Sequence, residues 1–262
     1  MKRWTRLLFS TFGMLCMFAC ISNTQAKPLK PIAVLELFTS EGCSSCPPAD
    51  TIARRLAQRA RTQNLNIFTL VYHVDYWNYL GWKDRFSQKR FTYRQNLYAR
   101  RFRSRSIYTP QLVVNGVRHN VGSRPRAVKM MLQQGLKEKP TWTLSLCKQQ
   151  QSKTKVRVRY KLGGHRSRWH KLHVALVEWG LFSKVVRGEN AGRTLQNANV
   201  VREFRSYGIA KQKRGSSTLS LRRVKRKKKS AIIAFVQDIR TMRILGATRM
   251  LLGSAKSCKS TG

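Results

Sequence analysis

The chain has 262 residues, 42% of them hydrophobic, and sets 53 Lys and Arg against ten acids for a formal charge of +43. That apolar content excludes a disordered polypeptide, and the length suffices for one large domain or two modest ones. The charge attracts polyanions and anionic lipid surfaces, but no zinc-finger, helix-turn-helix or stacked-aromatic pattern accompanies it, so no specific nucleic-acid partner is expected.

Lys2, Arg3 and Arg6 precede an apolar run over residues 7–19, and Thr24-Gln25-Ala26 supplies the small-residue pattern of a cleavage site. Residues 1–26 therefore read as a secretion signal, leaving a secreted or periplasmic protein. The run is shorter than the ~20 residues that a spanning helix needs. Met17-Phe18-Ala19-Cys20 offers a lesser alternative, a lipoprotein anchored at Cys20. Cleavage removes Cys16 and Cys20 and leaves Cys43, Cys46, Cys147 and Cys258 in an oxidising compartment, where thiols pair. Cys43 and Cys46 are a natural pair by proximity, whereas Cys147 and Cys258 either bridge at long range or stay free.

Residues 32–38 form a continuous β-prone run of the buried central kind. Ile52, Ala53, Leu56, Ala57 and Ala60 then share one face of a helix over residues 47–60, with proline suited to its first turn. A second buried run covers residues 67–74, so the three elements imply a right-handed parallel crossover. The aromatic stretch Asp75-Tyr76-Trp77-Asn78-Tyr79-Leu80-Gly81-Trp82 leads to a helical pattern over residues 87–103. Thr109-Pro110 enters a strand over residues 111–114, Asn115-Gly116 signals a type I′ hairpin, and a strand over residues 117–121 pairs back. A helix over residues 127–136 closes a unit spanning residues 27–139.

From residue 140 the period shortens. Val156, Val158 and Tyr160 alternate with Arg157, Arg159 and Lys161, and further strands are expected over residues 143–147, 172–178, 218–221, 231–237 and 244–251. Residues 140–262 thus read as a mainly antiparallel, sandwich-like unit in an α/β chain. The run over residues 222–229 reads as a solvated basic loop. The glycine-rich segment over residues 188–195 lacks the Lys-Ser/Thr ending of a phosphate loop and instead lets a loop approach the first unit. Arg193 is expected to reach an acidic group there. No G-x-S-x-G, HExxH or paired-carboxylate pattern supports a hydrolase.

The chemistry points to Cys43-Ser44-Ser45-Cys46-Pro47-Pro48, at a strand-to-helix junction. Orphan N–H groups and the helix dipole at such a junction favour thiolate over thiol at the first cysteine. The element order, the CxxC and Thr109-Pro110 together resemble a thioredoxin fold. That resemblance implies a cis proline at Pro110 packed beside the cysteines, with Thr109 able to hydrogen-bond a docked peptide. Residues 35–50, Tyr72-His73-Val74-Asp75-Tyr76-Trp77, Leu80-Gly81-Trp82-Lys83-Asp84, Tyr108-Thr109-Pro110-Gln111, residues 188–195 and Val200-Val201-Arg202 more specifically resemble the secreted bacterial DUF1223 family, regarded as thioredoxin-like with an added β-rich part. The extreme basic charge is the main departure.

The expected mechanism uses Cys43 as the more exposed nucleophile and Cys46 as the resolving thiol, with Ser44 and Ser45 tuning the thiolate. His73 either relays protons to Cys46 or completes a copper or zinc site with Cys43 and Cys46, although a hydrogen-bonded structural His is the more ordinary reading. Asp75 caps or orients. Trp77, Tyr79 and Trp82 either shape an apolar lip or pack over the fold, and Glu41 and Asp50 belong to the helix entrance. The expected function is a thiol–disulfide oxidoreductase acting on protein thiols or disulfides in the cell envelope. The alternatives are a copper- or zinc-binding metallochaperone-like protein and a non-catalytic protein held on anionic surface polymers or lipid.

Overall fold

In the computed structural model the described residues are 29–254 together with Ser257 and Cys258. The expected secretion signal over residues 1–26, with Cys20, lies outside them. The chain runs β1 (Ala33–Thr39), α1 (Pro47–Thr62), β2 (Ile67–His73), α2 (Lys89–Phe102), β3 (Gln111–Val114), β4 (Arg118–Val121) and α3 (Pro125–Gly135). It continues through β5 (Thr143–Gln151), β6 (Lys155–Gly163), β7 (His170–Glu178), β8 (Leu181–Lys184), β9 (Thr194–Asn197), β10 (Val200–Gly208), β11 (Arg214–Ser220), β12 (Ser230–Asp238) and β13 (Ile244–Leu251).

Eight strands form one sheet in the order β13-β12-β7-β10-β2-β1-β3-β4. β1 and β2 are parallel, β10 joins β2 in parallel, and the other pairings are antiparallel, so the fold is mixed α/β with mostly antiparallel pairing. β10, like the short β8 and β9, is missed by the sequence pattern, and it makes the sheet continuous from β4 to β13. A bulge between Val201 and Glu203 breaks its alternation, so its apolar residues do not recur with period two. The parallel junction is fastened by Asn199, whose carbonyl accepts the Val71 N–H at 3.0 Å and whose Nδ2 donates to the Thr69 carbonyl at 2.9 Å.

Alternation along β1 sends Ala33, Leu35 and Leu37 toward α1 and α3, and Val34 and Phe38 toward the face that α2 covers. At the far end of the α1/α3 face, a three-stranded sheet in the order β11-β6-β5 packs Val156, Val158 and Leu219 onto Leu172, Val174 and Ile232 of β7 and β12. Asn115 (φ 49°) and Gly116 (φ 74°) take the expected left-handed turn. A Cβ on Gly116 would fall 1.8 Å from the Met242 carbonyl oxygen, so only glycine fits that approach. Cys147 and Cys258 are joined in a disulfide, which ties the C-terminal segment to β5. Among the described residues no helix is long and apolar enough to cross a membrane.

Candidate thiol–disulfide site

The CxxC turn leaves β1 at Thr39 and enters α1 at Pro47. Ser40 shapes it: its Oγ accepts the Gly42 N–H at 3.1 Å and its carbonyl accepts the Cys43 N–H at 3.2 Å. Cys43 and Cys46 form a disulfide with their Cα atoms 5.4 Å apart, and the Ser45 Oγ stands 3.4 Å from the Cys43 sulfur.

Both cysteines are buried, Cys43 at 1% and Cys46 at 0% exposure, and of the turn only Ser44 and Ser45 reach solvent. One expectation about this pair is corrected: orphan helix N–H groups do not gather at Cys43, because Cys46 occupies the N-cap position and Pro47 and Pro48 remove two N–H donors from the first turn.

Beneath the pair lies a buried polar group. Thr39 and His73 are neighbours across β1 and β2. His73 Nδ1 meets Asp84 Oδ2 at 2.6 Å, and that carboxylate also accepts the N–H groups of Glu41 and Phe86, each at 2.9 Å. Glu41 is buried and accepts from the Trp82 indole at 3.1 Å and Asn197 Nδ2 at 2.8 Å. Asp50 follows Cys46 by four residues on α1, which puts both on one helix face. Burial pushes the Asp50 carboxyl up to about 7, against the opposing pull of His73. Burial also works against the His73 imidazolium, but Asp84, Glu41 and Asp50 outweigh it and hold His73 above its ordinary value. Asp84 is held below the usual carboxylate range, because His73 and the donated N–H groups overcome the cost of its burial.

Thr39 Oγ1, Asp50 Oδ1 and His73 Nε2 are buried without a hydrogen-bond partner. Unpaired buried polar atoms cost stability, so three in one neighbourhood make this a candidate place for chemistry.

The loop between β8 and β9 closes over the turn. The Glu189 carboxylate accepts the Ser44 N–H at 2.8 Å, and Asn190 Nδ2 donates to the carbonyls of Glu41 and Cys43, each at 2.9 Å. Arg193 reaches no acid as expected; its guanidinium donates to Asn190 Oδ1 at 3.0 Å and so orients that amide. Thr109-Pro110 is cis, and Trp77 links it to the site. The Trp77 indole donates to Thr109 Oγ1 at 2.7 Å, while its own Cβ stands 3.2 Å from where a Cβ on Gly42 would be. Trp77 and Trp82 are thus structural donors, whereas Tyr79 is 78% exposed. Asp75 is a local fastener between β2 and α2, receiving the Thr92 hydroxyl.

The structure therefore gathers Cys43, Cys46, His73 and Thr109-Pro110 around one turn, and no hydrogen bond joins His73 to either sulfur. Among the described residues no group of three or more His, Cys, Asp or Glu side chains is arranged to hold a metal ion. In the disulfide state neither Cys43 nor Cys46 offers a thiolate ligand, while His73 holds Nδ1 on Asp84 and leaves Nε2 without a hydrogen-bond partner. Sequence reasoning missed Asp84, Glu189, Asn190 and Asn197 as site residues and read Glu41 and Asp50 only as helix-entrance residues. For the four acids the signal was scarcity, since the chain has only ten; the two asparagines carried none.

The family model described as "Protein of unknown function (DUF1223)" matches residues 34–237. No curated protein matches the chain. Among solved structures, protein AGR_C_4864 from Agrobacterium tumefaciens is 27% identical with a TM-score of 0.63, over 88% of this chain and 98% of that one. A domain of the outer membrane lipoprotein Omp28 from Porphyromonas gingivalis is 16% identical over 45% of this chain and 88% of that one, with a TM-score of 0.26, too low to indicate a common fold. With most of its length under that model, the chain belongs to the DUF1223 family, whose function is unknown.

Proposed function

We propose that the protein is an exported thiol–disulfide oxidoreductase whose first unit, residues 27–139, is thioredoxin-like, and whose partners are dithiol proteins of the cell envelope. The observation that carries this reading is the Cys43–Cys46 disulfide at a strand-to-helix turn, above unpaired Asp50 and His73 atoms. The cis Thr109-Pro110 tied to the same turn through Trp77 supports it.

In the exchange a partner thiolate attacks the Cys43 sulfur, the Cys43–Cys46 bond breaks, and Cys46 leaves as a thiolate. Asp50, one helical turn beyond Cys46 and partly protonated at neutral pH, is the group we assign to hand that thiolate its proton. His73, held by Asp84, is the group we assign to return a proton to Asp50. The partner's second thiol then attacks its own sulfur in the mixed disulfide and releases Cys43. The partner dithiol is oxidised by two electrons and the Cys43–Cys46 pair is reduced by two.

The test is a single-turnover reaction with a dithiol peptide, followed by alkylation and mass spectrometry. The intact protein should yield one peptide disulfide per reduced pair. Offered the disulfide form of the same peptide, Cys46→Ser should accumulate a mixed disulfide at Cys43, formed as the Cys43 thiolate displaces one peptide thiolate, and Cys43→Ser should form none. A pair that never interconverts between disulfide and dithiol ends this reading.

A second reading, attachment to anionic surface polymers or lipid, is favoured by one observation. Of the ten acids only Glu189 is an exposed residue, so the solvent-facing surface is almost purely cationic.

A further inference from the structure

We propose that residues 188–192 are a resident cap standing where a partner polypeptide docks on the CxxC turn, and that the partner displacing it carries an acidic side chain beside its reacting cysteine. This rests on the oxidoreductase reading of the same site.

The exchange needs a partner sulfur in line with the Cys43 sulfur, yet Cys43 is only 1% exposed. What stands over the turn is the β8–β9 loop, and its hold is specific and small. Glu189 takes the Ser44 N–H, and the fully buried Asn190 takes the two carbonyls that flank Gly42. Glycines at the loop's two ends supply the backbone freedom that its displacement as a piece requires. Gly188 (φ 74°) and Gly192 (φ 80°) stand at its two ends in left-handed conformations. A Cβ on Gly192 would touch nothing within 4 Å, so that glycine is required by backbone freedom and not by space.

The partner chemistry follows from Glu189. In a chain with 53 Lys and Arg, it forms none of the ion pairs found among the described residues, and its carboxylate rests on a backbone N–H of the CxxC turn. That N–H holds its own carboxylate ligand in place. Opening the cap frees it, and an incoming carboxylate one residue from the attacking cysteine can replace Glu189 there, drawn in by the cationic surroundings. A basic partner gains neither term.

The experiment measures reduction of the Cys43–Cys46 disulfide in the full mature chain and in its Glu189→Gln and Asn190→Ala variants. The reductants are dithiothreitol and two cysteine peptides of identical composition, one with Asp beside the cysteine and one with it at the far end. Melting temperatures confirm that each variant is folded, and the exposed Glu189 position keeps the test valid should Asn190→Ala unfold. Both variants are expected to react about tenfold faster, as Glu189→Gln takes the charge from the hydrogen bond to the Ser44 N–H and Asn190→Ala removes the two neutral bonds to the Glu41 and Cys43 carbonyls from the closed state. The adjacent-Asp peptide should outpace its isomer on the intact protein, and should still do so in about 0.5 M salt, where general attraction is screened. Rates unchanged by either variant overturn the cap, and equal rates for the two isomers overturn the acidic partner. A disulfide that resists every thiol in all three proteins would instead sink the oxidoreductase reading beneath it.

Discussion

Asp50 is an acid that folding drives toward its neutral form, and the sign of its effect on stability follows. Its folded value of about 7 stands above the ordinary carboxyl value of 3.8, so between these pH values the unfolded chain releases a proton that the folded protein keeps. Stability from this group is therefore full below about pH 4, falls as pH rises toward 7, and stays reduced above it. Asp50→Asn removes the penalty. In denaturant titrations the variant should match the parent near pH 4 and exceed it by about 1–4 kcal/mol at pH 8. The rate of disulfide reduction should also lose its inflection near pH 7 in this variant. A stability difference that does not change with pH would reject the assignment. At this scale Cys43, Cys46, His73 and Thr109-Pro110 could be read from the sequence because short motifs carry them. Glu41 and Asn190 could not, because their roles come from partners far along the chain: Glu41 meets Asn197, and Asn190 reaches back to Cys43.

The elements that the sequence pattern locates well are those with an uninterrupted period. The strand over residues 244–251 is found as drawn, and β1, β2 and α1 differ from expectation by one or two residues at an end. β8 and β9 are four residues each, too short for a period to register. α2 hides something else. Its apolar face, with Phe91 and Tyr98, also carries Arg94, which a binary pattern assigns to solvent. Arg94 is instead 4% exposed and forks onto Glu36 of β1, with Nε to Oε1 at 2.7 Å and Nη2 to Oε2 at 2.9 Å. Tyr72, Tyr98, Phe204 and Phe235 surround its guanidinium at 5.2–5.7 Å. Removing one partner of such a pair strands the other charge in the core. Arg94→Met should cost about 3–5 kcal/mol of unfolding free energy, and Arg94→Met with Glu36→Gln should recover much of that loss. Chemical denaturation of both variants checks it, and additive losses would mean that the two side chains do not act as a pair.

For the whole molecule, the distribution of acids matters more than the total charge. Glu36 and Glu178 are buried against Arg94 and Arg202, Glu138 and Glu203 pair with arginines, and Glu41, Asp50 and Asp84 lie under the CxxC turn. Even the basic run over residues 222–229 is pinned, because the N–H groups of Lys225 and Arg226 donate to the buried Glu178 carboxylate at 2.8 and 2.7 Å. Carboxylates remain almost only where the fold or the site uses them. Binding to anionic vesicles should therefore be strong at low salt, fall steeply by about 0.5 M salt, and be unaffected by Cys43→Ser. Co-sedimentation measures this, and loss of binding in Cys43→Ser would show that the surface reading depends on the redox site. The position of β10 also sets an order in time. Synthesis starts at the N-terminus, so β2 is made long before the strand that completes its edge, and the sulfur pair long before the residues that cover it. A nascent chain thus passes through a period with a bare strand edge and an open cysteine turn, when exchange with other thiols meets least resistance.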